Sequence, residues 1–68
     1  MNRYNIFSQI LKERERQNIL HPMNNERDYL AILVEEVGEI GAALQGEGDL
    51  QEEIIQLAAV CVRWLEEQ

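Results

Sequence analysis

The sequence predicts an all-α protein, a short bundle of three helices, from three observations. Apolar residues recur at spacings of three and four along three stretches, as in amphipathic helices. A proline-containing connection and a glycine-rich turn separate these stretches. The chain has 68 residues, so it forms a single domain, residues 1–68, whose core seldom supplies more than about 3–5 kcal/mol unaided. We therefore expect oligomerisation to complete the bundle, as a homodimer or homotetramer.

The first helix is expected from about Arg3 to Gln17. Its later part, KERERQ, is expected to be mostly a solvated surface, because charged side chains are mostly exposed. The alternative is that its basic residues, Lys12, Arg14 and Arg16, reach an anionic ligand. The expected apolar stripe is narrow and comprises Ile6, Phe7, Ile10 and Leu11.

The next segment, QNILHPMNN, is expected to be irregular. Pro22 lacks an amide donor and disfavours helix at the residue before it. That residue is His21, the only histidine. A lone histidine in a loop is a weak metal-ligand candidate, so we expect a packing or capping role.

The second helix is expected to begin at a capping box formed by Asn25 and Asp28 and to end at about Leu44 or Gln45. Gly38 and Gly41 inside it each cost about 1 kcal/mol relative to alanine, so we expect another backbone to pass close by. The main apolar stripe comprises Leu30, Leu33, Val34, Val37, Gly41 and Leu44.

The opposite face of this helix carries Glu35, Glu36 and Glu39. Ile32 and Ala43 lie on the same face as these acids. A helix that is apolar nearly all round is usually buried on more than one side. We therefore expect another helix to cover the acidic face in part.

The third helix is expected from an N-cap at Asp49, after Gly46 and Gly48 in the turn, to about Glu66. Glu52 takes the third position of this cap, which leaves Glu53 as the better ligand candidate. The main apolar stripe comprises Leu50, Ile54, Leu57, Ala58, Cys61 and Leu65, and the opposite side carries Glu52, Gln56, Ala59, Val60 and Arg63.

Two residues of the third helix have specific expectations. Cys61 is expected to be a small buried hydrophobe, and Trp64 an anchor of the core or of a subunit contact. If the chain oligomerises, the second apolar faces should meet between subunits, burying Ile32, Ile40, Ala59 and Val60.

The chain has a net charge of −7, and its charged residues are distributed unevenly along the sequence. Residues 1–27 carry five basic and three acidic side chains, and residues 28–68 carry one basic and ten acidic. An acidic body argues against a nucleic-acid partner and is compatible with divalent cations. The apolar runs are too short to span a membrane, and a single cysteine suits the cytoplasm.

Two helical motifs suggest a family. Glu36-x-x-Glu39 and Glu53-x-x-Gln56, thirteen residues apart, resemble the E-x-x-E and E-x-x-D signature of MazG-like all-α nucleoside triphosphate pyrophosphohydrolases. The words LAILVEEVGEIGAAL and EEIIQLAAVCVRWLE resemble two consecutive helices of that family. The resemblance covers about residues 21–67.

The resemblance implies a MazG-like fold and hydrolysis of a nucleoside triphosphate to a monophosphate and pyrophosphate. It implies magnesium, with manganese as a substitute, held by Glu36, Glu39, Glu53 and Gln56, and catalytic roles for Glu36 and for Glu35 as a further ligand or base. Two departures stand out: Gln56 replaces the last acid, and the chain is shorter than many members. The alternative is a catalytically degenerate helical oligomerisation or binding module.

Overall fold

The computed structural model describes residues 1–20 and 25–68, and it confirms the all-α prediction. Three helices follow one another along the chain: α1 spans Arg3–Leu20, α2 spans Glu26–Leu44 and α3 spans Leu50–Glu66. The prediction ended the first helix three residues early. Pro22 and His21 lie outside the described residues, so the expectations placed on them stay predictions.

Both predicted N-caps are present. The Asn25 side chain accepts a hydrogen bond from the Asp28 amide at 3.0 Å, and the Asp28 carboxylate accepts one from the Asn25 amide at 3.3 Å. The Asp49 side chain accepts from the Glu52 amide at 3.2 Å. Each cap satisfies amides that the first helical turn leaves without an intrahelical partner.

The turn between α2 and α3 closes α2 with a Schellman arrangement. The Glu47 amide donates to the Ala42 carbonyl and the Gly46 amide to the Ala43 carbonyl, both at 3.0 Å. Gly46 has a φ of 92°, in the region that glycine adopts without a steric penalty. The predicted role of Gly46 in the C-cap of α2 is confirmed. The turn reverses the chain, so that α3 packs against α2.

α3 lies in the middle of the fold. Its backbone approaches those of both α1 and α2, whereas α1 and α2 make no backbone contact with each other over residues 1–20 and 25–68. The outer helices therefore flank α3 and leave a cleft between them. This cleft, with α3 as its floor, holds the candidate site described below.

The fully buried side chains come from all three helices. Tyr29, Ala59 and Val60 form the apolar part, and Gln17 and Arg63 are buried polar groups beside them. The Tyr29 ring stacks on the half-buried Trp64, with centroids 5.7 Å apart and planes at 7°. The expectation that Trp64 anchors the core is therefore confirmed.

The predicted orientation of α2 and α3 is wrong. Leu30, Val34, Val37 and Leu44 on the expected core stripe of α2 are 56% to 69% exposed, and Leu65 on α3 is 72% exposed. The opposite face of α2 is covered in part, as expected: Ile32 and Glu36 are half-buried, whereas Glu35 and Glu39 are exposed. Both faces of each helix hold apolar residues, so periodicity alone does not choose between them. The buried Tyr29 and Val60 lie beside the acids and line the same cleft.

Three further expectations, which concern individual residues of α2 and α3, are also wrong. Ala59 and Val60 are buried within one chain, so they are not available to a subunit interface. Cys61 is exposed, because it lies on the outward stripe. A Cβ built at Gly38 or Gly41 would meet nothing within 4 Å, so no backbone of the described chain passes close to either glycine.

No helix within the described residues combines the length and the apolar character needed to cross a membrane.

Candidate metal and ligand site

Three glutamates from two helices converge at the inner edge of the fold. One carboxylate oxygen each from Glu36, Glu39 and Glu53 lies within 4.8 Å of the other two. Glu36 and Glu39 project from neighbouring turns of α2, and Glu53 lies in the opening turns of α3, just after the Asp49 cap. We call these three residues the glutamate triad.

Burial and mutual repulsion change the acidity of the triad. Burial is the largest cause that raises the pKa of Glu36 to about 7, and the charges of Glu39, Glu53, Glu35 and Glu13 add to it. A hydrogen bond with Glu39 is the largest cause that raises the pKa of Glu53, followed by burial and by the charge of Glu39. A cation between these carboxylates would relieve the repulsion.

The triad fits a divalent cation by two observations. Ligand oxygens on opposite sides of a magnesium ion lie about 4.2 Å apart, since each bond is about 2.1 Å. Adjacent ligand oxygens lie about 3.0 Å apart, so three oxygens within 4.8 Å would draw together to hold one ion. In addition, Glu36 Oε2 and Glu53 Oε2 are buried and have no hydrogen-bond partner in the part of the chain that is described.

The glutamate triad borders a cleft of about 280 Å³ between α1 and α2. Glu36 and Glu39 line it directly. The α3 floor contributes Gln56, Val60 and Arg63, and the remaining lining comprises Glu13, Arg16, Gln17, Tyr29, Ile32 and Glu35. The cleft therefore places a mixed set of charged and polar groups beside the carboxylates.

Two of these lining groups are buried polar side chains with an unused hydrogen-bonding atom. Tyr29 is 1% exposed and Gln17 is 5% exposed, yet the Tyr29 hydroxyl and Gln17 Oε1 have no partner within residues 1–20 and 25–68. Gln17 Nε2 donates to the Glu13 carboxylate and to the Gln56 carbonyl, both at 3.3 Å. Because its amide nitrogen is used in this way, Gln17 presents its oxygen as an acceptor. Leaving such atoms unpaired is costly unless a ligand or water satisfies them.

α1 contributes more to the site than the solvated surface predicted for KERERQ. Glu13 is half-buried and receives two hydrogen bonds from Arg16, each at 2.8 Å. Hydrogen bonding to Glu13 raises the pKa of Arg16. Arg16 lines the cleft, which agrees with the alternative that a basic residue of this segment reaches a ligand. Arg14 instead forms an ion pair with Glu66.

The remaining predicted site residues also lie at the cleft. Glu35 is exposed and lines its rim, whereas Gln56 is half-buried in the floor. The structure therefore brings Glu36, Glu39 and Glu53 together as three carboxylates and places Gln56 in the same cleft.

Four polar residues of the cleft were not among the predicted site residues: Glu13, Gln17, Tyr29 and Arg63. A signal for two of them exists, because Ile6, Ile10, Glu13 and Gln17 follow one another at spacings of four, three and four. This is the spacing of one helical face. Arg63 has a comparable signal, since it lies two turns after Gln56 on the same side of α3. Its Nη1 donates to the Gln17 carbonyl at 3.1 Å.

The comparisons with known proteins add no relative. No family model matches the chain, and no significantly similar curated protein or solved structure was found.

Proposed function

We propose that this chain is a magnesium-dependent nucleotide pyrophosphohydrolase that cleaves a nucleoside triphosphate to a monophosphate and pyrophosphate. The observation that carries the proposal is the glutamate triad, within 4.8 Å, at the wall of a cleft with unpartnered buried polar atoms. The MazG-like motif spacing supports the same assignment. The reaction would take place in the cytoplasm.

Glu36, Glu39 and Glu53 would hold the cation, and Gln56 would add a neutral oxygen ligand. Bound magnesium would supply charge neutralisation for the phosphates and a reactive water. Without a cation the pKa of Glu36 is about 7, because burial and the neighbouring carboxylates disfavour its charge. A bound cation would lower this pKa, so that Glu36 would act as a carboxylate ligand.

Glu35 would orient a water molecule at the rim or add a ligand. It lines the cleft next to Glu36 and is exposed, so solvent reaches it directly. Arg16 lies on the opposite helix and would attract an anionic substrate toward the carboxylates. The Arg16 guanidinium forms an ion pair with the Glu13 carboxylate, and this pair holds the Arg16 side chain in place.

The size of the cleft bears on assembly. The volume of the cleft, about 280 Å³, is slightly below the range of ligand sites, which is about 300–1,000 Å³. We propose that the protein works as a homodimer or homotetramer and that a second chain supplies further walls for the nucleotide.

The direct experiment measures pyrophosphate release from a panel of nucleoside triphosphates with and without magnesium. Glu39→Gln should abolish release, because it removes one carboxylate of the triad. Glu15→Gln is the matched control, since Glu15 is an exposed acid of α1 that does not line the cleft. Equal activity of both variants would contradict the assignment.

A second candidate is a catalytically degenerate binding module. Gln56 favours it, since an acid is expected at that position of the motif. The cleft would then bind a cation or a nucleotide without turnover. The two functions separate in one measurement: a module binds a non-hydrolysable triphosphate with magnesium but releases no pyrophosphate from any triphosphate.

A further inference from the structure

We infer that the inner end of the cleft binds the hydrogen-bonding edge of a nucleobase through Gln17, Tyr29 and Arg63. All three residues line the cleft and are buried, and none of them belongs to the glutamate triad. The inference rests on the proposed nucleotide function and deepens it, because it names the part of the nucleotide that enters this end of the cleft.

Gln17 presents an acceptor whose orientation is fixed. Its side-chain nitrogen donates to the Glu13 carboxylate and to the Gln56 carbonyl, both at 3.3 Å. A carbonyl and an ionised carboxylate only accept hydrogen bonds, so the nitrogen must face them. Gln17 Oε1 is left buried and without a partner in the described ranges, residues 1–20 and 25–68. An N–H or O–H group of a ligand would satisfy this oxygen.

Arg63 presents donors beside this acceptor. The side chain is 7% exposed, and its Nη1 donates to the Gln17 carbonyl at 3.1 Å. A guanidinium has five N–H donors, and Arg63 forms no ion pair with any other residue that the structure describes. A buried cation without an anionic partner is costly. An acceptor atom of a ligand would reduce this cost.

Tyr29 adds a hydroxyl group and an apolar wall. Its hydroxyl can donate or accept a hydrogen bond, and it has no partner among the described residues. The ring lines the cleft together with Ile32 and Val60, which provide further apolar surface. Gln17 on α1 and Tyr29 on α2 belong to helices whose described backbones make no contact with each other. A flat group can therefore insert between them.

The chemistry of the inner end favours a base over a phosphate group. A phosphate offers mainly acceptor oxygens, which would face the acceptor of Gln17. The cleft is also lined by four carboxylates and only two guanidinium groups, so it repels an anion that carries no cation. A base is neutral and has donors beside acceptors along its edge, which match Gln17 and Arg63. The phosphates would then lie with the cation at the glutamate triad.

The test measures nucleoside binding by NMR titration without metal, since a nucleoside has a base but no phosphate. At least one of adenosine, cytidine, guanosine and uridine should bind. Its counterpart with every N–H of the Watson–Crick edge methylated should bind at least about 10-fold more weakly, because it cannot donate to Gln17. Ribose 5-phosphate, which has a charge but no base, should not compete.

Two variants test the side chains themselves. Gln17→Leu should weaken binding of the same nucleoside at least about 10-fold, and Tyr29→Phe at least about 3-fold. Tyr4→Phe is the matched control, because Tyr4 is 84% exposed and lies outside the cleft. It should leave the affinity unchanged. If Gln17→Leu fails to fold, Tyr29→Phe and the methylated nucleoside decide the case.

Three results would each overturn the inference: no binding of any of the four nucleosides at millimolar concentration, equal binding of the methylated counterpart, or unchanged affinity in Tyr29→Phe. Equal binding of ribose 5-phosphate would overturn it as well. The outcome does not depend on turnover. Nucleoside binding without pyrophosphate release from any triphosphate would support this inference and contradict only the hydrolase proposal.

Discussion

Tyr29 on α2 lies flat against Trp64 on α3, with ring centroids 5.7 Å apart and planes only 7° from parallel. This stack holds α2 with its glutamates turned toward α3. The Tyr29 hydroxyl reaches the cleft and has no hydrogen-bond partner among the described residues. One side chain therefore combines a core contact with a polar group left for a ligand.

Two substitutions should distinguish the contribution of the Tyr29 ring to stability from that of its hydroxyl group. Tyr29→Ala should cost about 3–5 kcal/mol of unfolding free energy, because it removes a fully buried aromatic ring. Tyr29→Phe should be neutral or stabilising by about 1 kcal/mol in the ligand-free protein, since a buried hydroxyl without a partner is costly. Urea unfolding without metal measures both. A loss above about 1 kcal/mol in Tyr29→Phe would mean that the hydroxyl is already paired.

Magnesium or manganese should raise the melting temperature, because a cation bound only to the folded state stabilises it. The gain is about 1.4 kcal/mol at a metal concentration ten times the dissociation constant. Glu36→Gln or Glu39→Gln should remove this response while keeping the helical circular dichroism. Glu15→Gln should retain it. If millimolar metal leaves the melting of the unmodified protein unchanged, the glutamate triad is not a cation site.

Stability without metal should depend on pH through Glu36. Its pKa is about 7 in the folded chain against 4.5 for the ordinary group, so the folded state binds the proton more tightly. This contribution is fully present below about pH 4.5 and is lost as the pH rises to about 7. Glu53, whose pKa is also raised, acts in the same direction.

Metal binding should show the opposite trend, because the cation competes with the proton for the triad. The magnesium-induced rise in melting temperature should be small at pH 5 and should grow up to about pH 8. Melting curves across this range, with and without magnesium, measure both effects. Glu36→Gln should flatten the metal-free dependence; an unchanged slope in that variant would assign the effect to other groups.

Gln56→Asp should tighten magnesium binding severalfold or more, since it adds a negative charge in the cleft floor. If the unmodified protein is a weakened hydrolase, the variant should also hydrolyse at least one triphosphate faster. Gln51→Asp makes the same change at an exposed position of α3 that is outside this cleft, and it should alter neither property. Tighter metal binding without pyrophosphate release from any nucleotide would favour the binding module.

The elements and their caps could be predicted because they depend on neighbours in sequence. Asn25 and Asp28 form their capping box through local hydrogen bonds, and Gly46 closes α2 through a backbone conformation that glycine favours. The inward faces could not be predicted in the same way. Val34 and Val37 have the period of a core stripe, yet they are exposed, because burial depends on which partner each helix meets.

The residues of the candidate site also fall into those that the sequence indicates and those that only tertiary packing brings together. The resemblance to the MazG-like motifs and the position of the Asp49 cap indicated Glu36, Glu39 and Glu53, and residues three apart share a helical face. Gln17, Tyr29 and Arg63 joined them only in the folded chain, where α1 and α2 flank α3 without backbone contact between them. The sequence by itself determined three helices, the N-caps of two of them and the three carboxylates. The tertiary structure decided that Glu36 and Glu39 line a cleft and that a leucine and valine surface faces outward, because α3 packs against both α1 and α2 on the side where Tyr29 and Val60 are buried.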